Sequence, residues 1–290
     1  MLKSYVIAAR PKTLPAAIVP VWVGCALAWH STGNINWYLA VWTLLGAGAI
    51  QIATNLFNDA IDFERGADTE KRLGPRRVTA SGLLSPRAVY RGALVCLLVA
   101  CLCSIPLLQC RGWVIVGIGI PSLYLAYGYT GGPFPLAYLG LGELFVVLFF
   151  GLVAVGGSFF VQTGQWDWPA VILGLQVGLL SALLIAINNL RDVEEDRKSN
   201  KKTLAVRFGE AAVHRMITGF VAVAMALSFV GFSYGVPWFP VLSIPWYFAG
   251  LFCVDGVWSA PPGRRYNRFL LIAAVQLMLF AALFTVAVAL

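Results

Sequence analysis

Asn55, Asn58, Asp59 and Asp62 follow one another at intervals of three, one and three residues, and Asn189, Asp192 and Asp196 repeat part of that pattern later in the chain. In a helix each residue turns about 100°, so the first four share an arc of roughly 100° on one face. The second set stands at the same offsets as Asn55, Asn58 and Asp62, and both segments read Asn-Leu-x-(Asn or Asp)-x-x-x-Asp. Carboxylates crowded on one face repel each other unless a counter-charge joins them. A divalent cation answers that need, and Mg2+ prefers hard oxygen ligands supplied by one or two carboxylates together with phosphate oxygens. Two such faces suit two Mg2+ ions with a diphosphate between them. The loops that follow carry the matching cations: Arg65, Lys71, Arg72, Arg76 and Arg77 after the first, Arg197, Lys198, Lys201 and Lys202 after the second. Arginine offers phosphate a two-pronged donor, lysine a point charge.

The elements that must position these residues are apolar. Of 290 residues, 59% are hydrophobic and only 12% charged, with a mean hydropathy of +0.79, too little polar surface for a water-soluble domain of this length. Nine apolar runs, 14–30, 37–57, 88–108, 112–130, 136–162, 168–190, 212–234, 236–255 and 269–290, predict nine transmembrane helices in one all-α domain over 1–290. The first run ends in Trp29-His30 without a small-residue cleavage site, so it reads as a span and not as a signal peptide. Ten of the thirteen acids lie in 59–70 and 192–210, where the predicted even-numbered helices end, and each acidic segment is expected to continue its helix unbroken.

The net charge of +8 does not point to nucleic acid, because its distribution follows a bilayer. With nine helices, 20 of 21 cations fall on one side and only Arg111 on the other, which predicts a cytoplasmic N-terminus and an external C-terminus. The six cysteines lie in or beside apolar runs without metal-type spacing and read as small core residues. Neutralisation of nearby cations explains Glu64, Glu70, Glu194, Glu195 and Glu210, but not two matched acidic faces inside membrane helices, which are costly to bury and tend to be functional.

At these residues the chain resembles the UbiA superfamily of intramembrane prenyltransferases, whose paired motifs correspond to Asn58-Asp59-x-x-Asp62 and Asp192-x-x-x-Asp196. Arg10-Pro-Lys-Thr-Leu-Pro15, the run from Gly66-Ala-Asp68 to Arg77, Tyr138-Leu-Gly140-Leu-Gly142-Glu143, Asn188-Asn189-Leu-Arg191-Asp192 and Lys202-Thr203-Leu204 resemble its menaquinone-synthesis branch. The superfamily's third aspartate of the first motif is Gly66 here, and Asp68 is the candidate to replace it. The resemblance implies a nine-helix bundle around a central cavity in the inner membrane, its active site facing the cytoplasm. It also implies Mg2+-assisted departure of diphosphate from a polyprenyl diphosphate, and attack by 1,4-dihydroxy-2-naphthoate with loss of CO2. Asn58, Asp59, Asp62, Asp68, Asp192 and Asp196 would then hold metal. Arg65, Arg72, Arg77, Arg197, Lys201 and Lys202 would bind diphosphate, and Asn55, Asn188, Asn189 and Tyr138 would position substrate.

Glu143 could orient a ring hydroxyl or move a proton, or it could serve only as an interhelical hydrogen-bond partner beside close-packed glycines. Phe57, Tyr124, Tyr127, Tyr129 and Phe149 could shield a carbocation, but aromatic content of 13% is normal for such helices and packing explains each better. A transporter is the main non-enzymatic alternative, but transporter sites lie near the bilayer midplane, and these acids cluster at helix ends beside phosphate-type cations. Phytyl transfer and 4-hydroxybenzoate prenylation remain open as variants of the same chemistry.

Overall fold

The computed structural model describes residues 2–68 and 73–290. The chain is 79% helix, and no strand occurs among the described residues. A short helix α1 (Leu2–Ala9) runs through a one-turn 3-10 segment into α2 (Pro15–Thr32) with a bend of 52°. Arg10 at φ 50°, Pro11 and Pro15 make that corner.

Two long helices follow, α3 (Trp37–Glu64) and α4 (Pro86–Arg111), then the shorter α5 (Val114–Gly128). Asn36 and Ser85 cap α3 and α4, each accepting from a backbone N–H three residues on. The next membrane helix consists of α6 (Gly142–Val146), a π-helical stretch at 147–153 and α7 (Ala154–Thr163). The sequence predicts this span from residue 136, whereas the structure begins it at Gly142. Residues 129–141 instead form a turn-rich loop, held by Gly132 and Gly140 at φ 74° and 69°, which a continuing helix cannot accommodate.

The remaining helices are α8 (Trp168–Arg191), α9 (Val193–Lys198), α10 (Leu204–Phe208), α11 (Glu210–Ser228), α12 (Phe239–Leu242), α13 (Ile244–Ser259) and α14 (Tyr266–Ala289). Among the described residues six helices can cross a membrane by length and composition, or seven if the bent α1–α2 pair counts as one span. The expected run at 112–130 forms only the 15 residues of α5, and that at 236–255 is divided between α12 and α13.

Small residues set the closest helix approach. A Cβ on Gly151 would lie 2.3 Å from the Gly174 carbonyl, so the π-helical stretch presses directly on α8. Without a hydrophobic driving force between helices in lipid, such close backbone packing is a principal source of association. One buried apolar cluster joins α2, α7, α8, α12, α13 and α14 around Leu180, Phe239, Trp246 and Phe280, and a second joins α8, α11, α13 and α14 around Ile187 and Tyr266. A third packs α3 against α4 through Leu56, Phe57, Val89 and Ala93.

Candidate active site

The first acidic face belongs to the last two turns of α3, and its four residues take four different partners. Asn55 Nδ2 donates to the Ala9 carbonyl and to Thr13 Oγ1, both at 2.9 Å. It thus satisfies a carbonyl left open at the end of α1 and fastens α3 to the α1–α2 corner. That is a structural task, beside the substrate-positioning role expected of it. One turn on, Asn58 is half-buried, and its Oδ1 accepts from the Thr130 hydroxyl.

Asp59 is 1% exposed, and the backbone N–H groups of Val78 and Thr79 donate to its two oxygens at 3.1 and 3.0 Å, with the Thr79 hydroxyl also donating. The sequence places Asp59 among the cation ligands. In the structure its carboxylate is turned into the 73–84 loop, where it holds the chain that carries Arg77. Helical spacing gives direction on α3 but not what packs there.

Asp62 is the member of this face that meets charge. Arg77 approaches Asp62 Oδ2 at 3.3 Å and Asp68 Oδ2 at 2.8 Å, and all three side chains are buried. Gly66 explains how Asp68 comes to be there. At φ 69° it ends α3, and the Ala67 and Asp68 amides turn back onto the Asp62 carbonyl at 2.8 and 3.3 Å. The glycine that replaces an expected aspartate is therefore the hinge that returns Asp68 beside Asp62.

The second acidic segment departs from an unbroken helix. Asp192 caps α8, and α9 starts at Val193. Arg191 grips the neighbouring Asp192 with two bonds of 2.7 and 2.6 Å, an arrangement that adjacent residues of a regular helix, pointing about 100° apart, do not favour. Arg191 also donates to Asn188 Oδ1 and Asn267 Oδ1, each at 2.8 Å. Asn188 therefore orients this arginine. Asn189 Nδ2 donates to Glu143 Oε1 at 2.9 Å, joining α8 to α6. Glu143 Oε2 is buried and has no hydrogen-bond partner among the described residues. The two motifs match in sequence without matching in their contacts: Asn55 binds backbone, while its counterpart Asn189 binds a carboxylate.

Tyr138 connects the two halves. Its hydroxyl donates to Asp62 Oδ1 at 2.9 Å, and its ring lies 4.5 Å from the Arg65 guanidinium and 5.5 Å from Lys201 Nζ. Lys201 in turn stands 3.7 Å from Asp196 Oδ1. The phenol pKa is raised by burial and by the Asp62 charge, so Tyr138 stays a hydrogen-bond donor at neutral and mildly alkaline pH. Tyr129 lies within the fields of Glu143, Asp62 and Asp196, which add to its burial in raising its own pKa. The loop that carries both tyrosines is clamped at Gly140. The Lys202 amide donates to the Tyr138 carbonyl at 3.1 Å, and a Cβ on Gly140 would stand 2.8 Å from the Lys202 carbonyl.

Comparison with known proteins agrees with this architecture. The sequence profile of the UbiA prenyltransferase family matches residues 17–275. The chain belongs to that family. It is 37% identical to the 1,4-dihydroxy-2-naphthoate octaprenyltransferase of Mycobacterium tuberculosis over 262 residues, 90% of this chain and 84% of the relative. It is 38% identical to the protein of the same name from Escherichia coli over 215 residues, 71% and 68% of the two chains. A 2-carboxy-1,4-naphthoquinone phytyltransferase of Synechocystis is 30% identical over 254 residues, 84% and 80% of the two chains. In fold, the chain is similar to a UbiA homolog from Archaeoglobus fulgidus bound to GPP and Mg2+, with a TM-score of 0.74 at 17% identity over 99% of this chain and 100% of the other.

In this UbiA family member the acids suit a metal completed by substrate. No three His, Cys, Asp or Glu side chains converge as a metal site among the described residues. Buried acids occur instead in small groups, Asp62 with Asp68, and Asp192 and Asp196 on the other side, with Arg77, Arg191 and Lys201 as cationic partners. Such hard-oxygen groups fit Mg2+ that takes its other ligands from phosphate and water.

Three of the expected diphosphate cations lie elsewhere or are not described. Arg197 pairs with Glu194 at 2.8 Å in an exposed salt bridge, and the Lys202 side chain is exposed while its backbone does the clamping. Arg72 lies outside the described residues. Among the aromatics, Phe57 packs edge-on to Tyr127, with centroids 5.4 Å apart, and Phe149 stacks on Phe145. Sequence reasoning missed Thr79, Thr130 and Asn267, whose contacts join residues 20 to 76 positions apart without any motif to mark them.

Proposed function

We propose that this membrane enzyme transfers a polyprenyl group from polyprenyl diphosphate to 1,4-dihydroxy-2-naphthoate, releasing diphosphate and CO2 and yielding the quinol form of demethylmenaquinone. The reading rests above all on the 37% identity to a naphthoate octaprenyltransferase across 90% of the chain. The buried acids of α3 and α9, joined through Tyr138 and Lys201, supply its chemistry. We further propose one transmembrane domain of nine spanning helices in the inner membrane, with the N-terminus and the acidic helix ends facing the cytoplasm. The one-sided cation distribution supports that orientation.

Asn58, Asp62 and Asp68 would hold one Mg2+, and Asp192 and Asp196 a second. Bound Mg2+ would supply Lewis-acid stabilisation of negative charge on the departing diphosphate. Arg77, Arg65 and Lys201 flank these acids and would bind the diphosphate oxygens, so that charge developing as the allylic C–O bond breaks meets donors already in place. Tyr138 fixes Asp62 through its hydroxyl and keeps Arg65 and Lys201 on its ring. Glu143, anchored at Oε1 by Asn189, has Oε2 to accept a naphthoate hydroxyl and turn the ring toward the allylic cation. The new C–C bond forms at the carbon that loses CO2. Asp59 serves this site indirectly, by holding the loop that carries Arg77.

A product assay tests the reading. Purified protein in detergent, with Mg2+, a long-chain prenyl diphosphate and 1,4-dihydroxy-2-naphthoate, should release CO2 and form a prenylated naphthohydroquinone. Parallel reactions with phytyl diphosphate as donor and 4-hydroxybenzoate as acceptor fix donor and acceptor preference. Product from 4-hydroxybenzoate alone would overturn the naphthoate assignment while keeping the transfer chemistry.

A further inference from the structure

The groove between α1, α3 and α4 borders the first acid motif at Leu56, but no acid lines it, and it has features the prenyl-transfer site does not use. It is an open groove of about 500 Å³, and its wall is almost wholly apolar. Tyr5 and Val6 of α1, Ile52 and Leu56 of α3, and Val95 of α4 line it, and Arg91 is the one charged residue among its lining. Gly92 makes room for the Tyr5 ring, where a Cβ would come within 2.8 Å, and Tyr5 Oη donates to the Ala88 carbonyl at 3.0 Å. The groove is thus a built seam between α1 and the first turns of α4.

Its polar end carries positive charge. Arg87 and Arg91 stand four residues apart on the same exposed face of the first two turns of α4, where the helix dipole already favours an anion. The first turn holds no acid, and the ion pairs among the described residues fall on Arg77, Arg191, Arg197 and Lys201 instead. Glu64, the acid of α3 that reaches this part of α4, accepts from Tyr90 at 2.8 Å instead. Lys3 is exposed two residues from Tyr5, and beyond the cations lie exposed apolar residues on both helices: Leu2 and Val6 on α1, Leu94 and Leu98 on α4. Cations at a helix end above an apolar groove complement a molecule with a phosphate at one end and a long hydrocarbon chain at the other.

We propose that this groove binds one anionic phospholipid, its phosphate on Arg87 and Arg91 and an acyl chain along Val95, Ile52 and Leu56. The site differs from the prenyl diphosphate site in using no carboxylate and no metal. It gives the enzyme a fixed lipid that fastens α1 to α4 at the same end of the bundle as the acidic motifs.

Native mass spectrometry of delipidated protein tests this. With phosphatidylglycerol the protein should form a one-to-one adduct, favoured about tenfold over phosphatidylcholine of the same chains. The double variant Arg87→Gln/Arg91→Gln, which changes only exposed side chains, should fall to the phosphatidylcholine level, and Arg87→Lys/Arg91→Lys should keep most of the preference. Excess geranyl diphosphate should leave the adduct in place. Equal retention of the two lipids, unchanged binding by the glutamine double variant, or displacement by geranyl diphosphate would each overturn the proposal. Binding of a six-carbon-chain phosphatidylglycerol as strong as that of the long-chain lipid would rule out the groove as its seat.

Discussion

Asp59 and Asp62 belong to one motif on one turn of α3, yet the structure gives them different work, and substituting each with asparagine separates the two tasks. In Asp59→Asn one carboxylate oxygen becomes an NH2 group facing a backbone N–H of Val78 or Thr79, in a place that is 1% exposed. One hydrogen bond to a charged group is lost and one buried donor is left unsatisfied, together about 3 kcal/mol. At about 2–4 °C per kcal/mol, the thermal midpoint should fall by roughly 6–12 °C. Because the freed loop carries Arg77, the KM for prenyl diphosphate should rise and kcat should fall, though by less than in Asp62→Asn. Asp62→Asn keeps an oxygen for the Tyr138 hydroxyl and leaves Arg77 its contact with Asp68, so the midpoint should move less. Turnover should nevertheless fall by about 10²–10³, the usual cost of removing one charge-stabilising group. Size-exclusion thermal-stability measurements paired with steady-state prenyl transfer read both effects. If Asp59→Asn leaves the midpoint unchanged and abolishes turnover as Asp62→Asn does, Asp59 acts on the substrate or metal directly and the loop-holding role is wrong.

Glu143→Gln preserves an acceptor for Asn189, so the protein should fold normally, but kcat with the naphthoate should drop about tenfold or more while the KM for prenyl diphosphate holds; full activity would assign Glu143 to helix pairing alone. Gly140→Ala places a Cβ 2.8 Å from the Lys202 carbonyl at a backbone φ of 69°, a cost of about 1–2 kcal/mol or more. It should loosen Tyr138 and Lys201 together, seen as a raised KM for prenyl diphosphate, and an unchanged KM would show the clamp to be dispensable. EDTA should silence the enzyme and Mg2+ restore it, with turnover in EDTA counting against the metal-assisted reading. A reporter fused after Leu290 should face away from the cytoplasm, and a cytoplasmic signal would break the nine-helix topology.

Much of this protein was legible in its sequence because the bilayer imposes long-range regularity on it. Apolar runs of about 20 residues mark membrane helices, and the spacing of Asn58, Asp62, Asp192 and Asp196 marks two helix ends rich in hard oxygen ligands. Those signals are local, and one residue sets the position of the next. What they left open was the partner of each side chain. Asn55 and Asp62 lie seven residues apart on one helix face, but one meets the end of α1 and the other meets Arg77 and Tyr138. Spacing fixes the angle at which a residue leaves its helix, whereas its partner comes from distant chain brought in by packing. Only the tertiary structure turned Gly66 from a missing ligand into the hinge for Asp68 and made Asp59 a loop anchor. The loop at 129–141 shows the same division: its glycines predict turns, but its function as the link between α3 and the segment after α9 depends on the Lys202 backbone, more than 60 residues away.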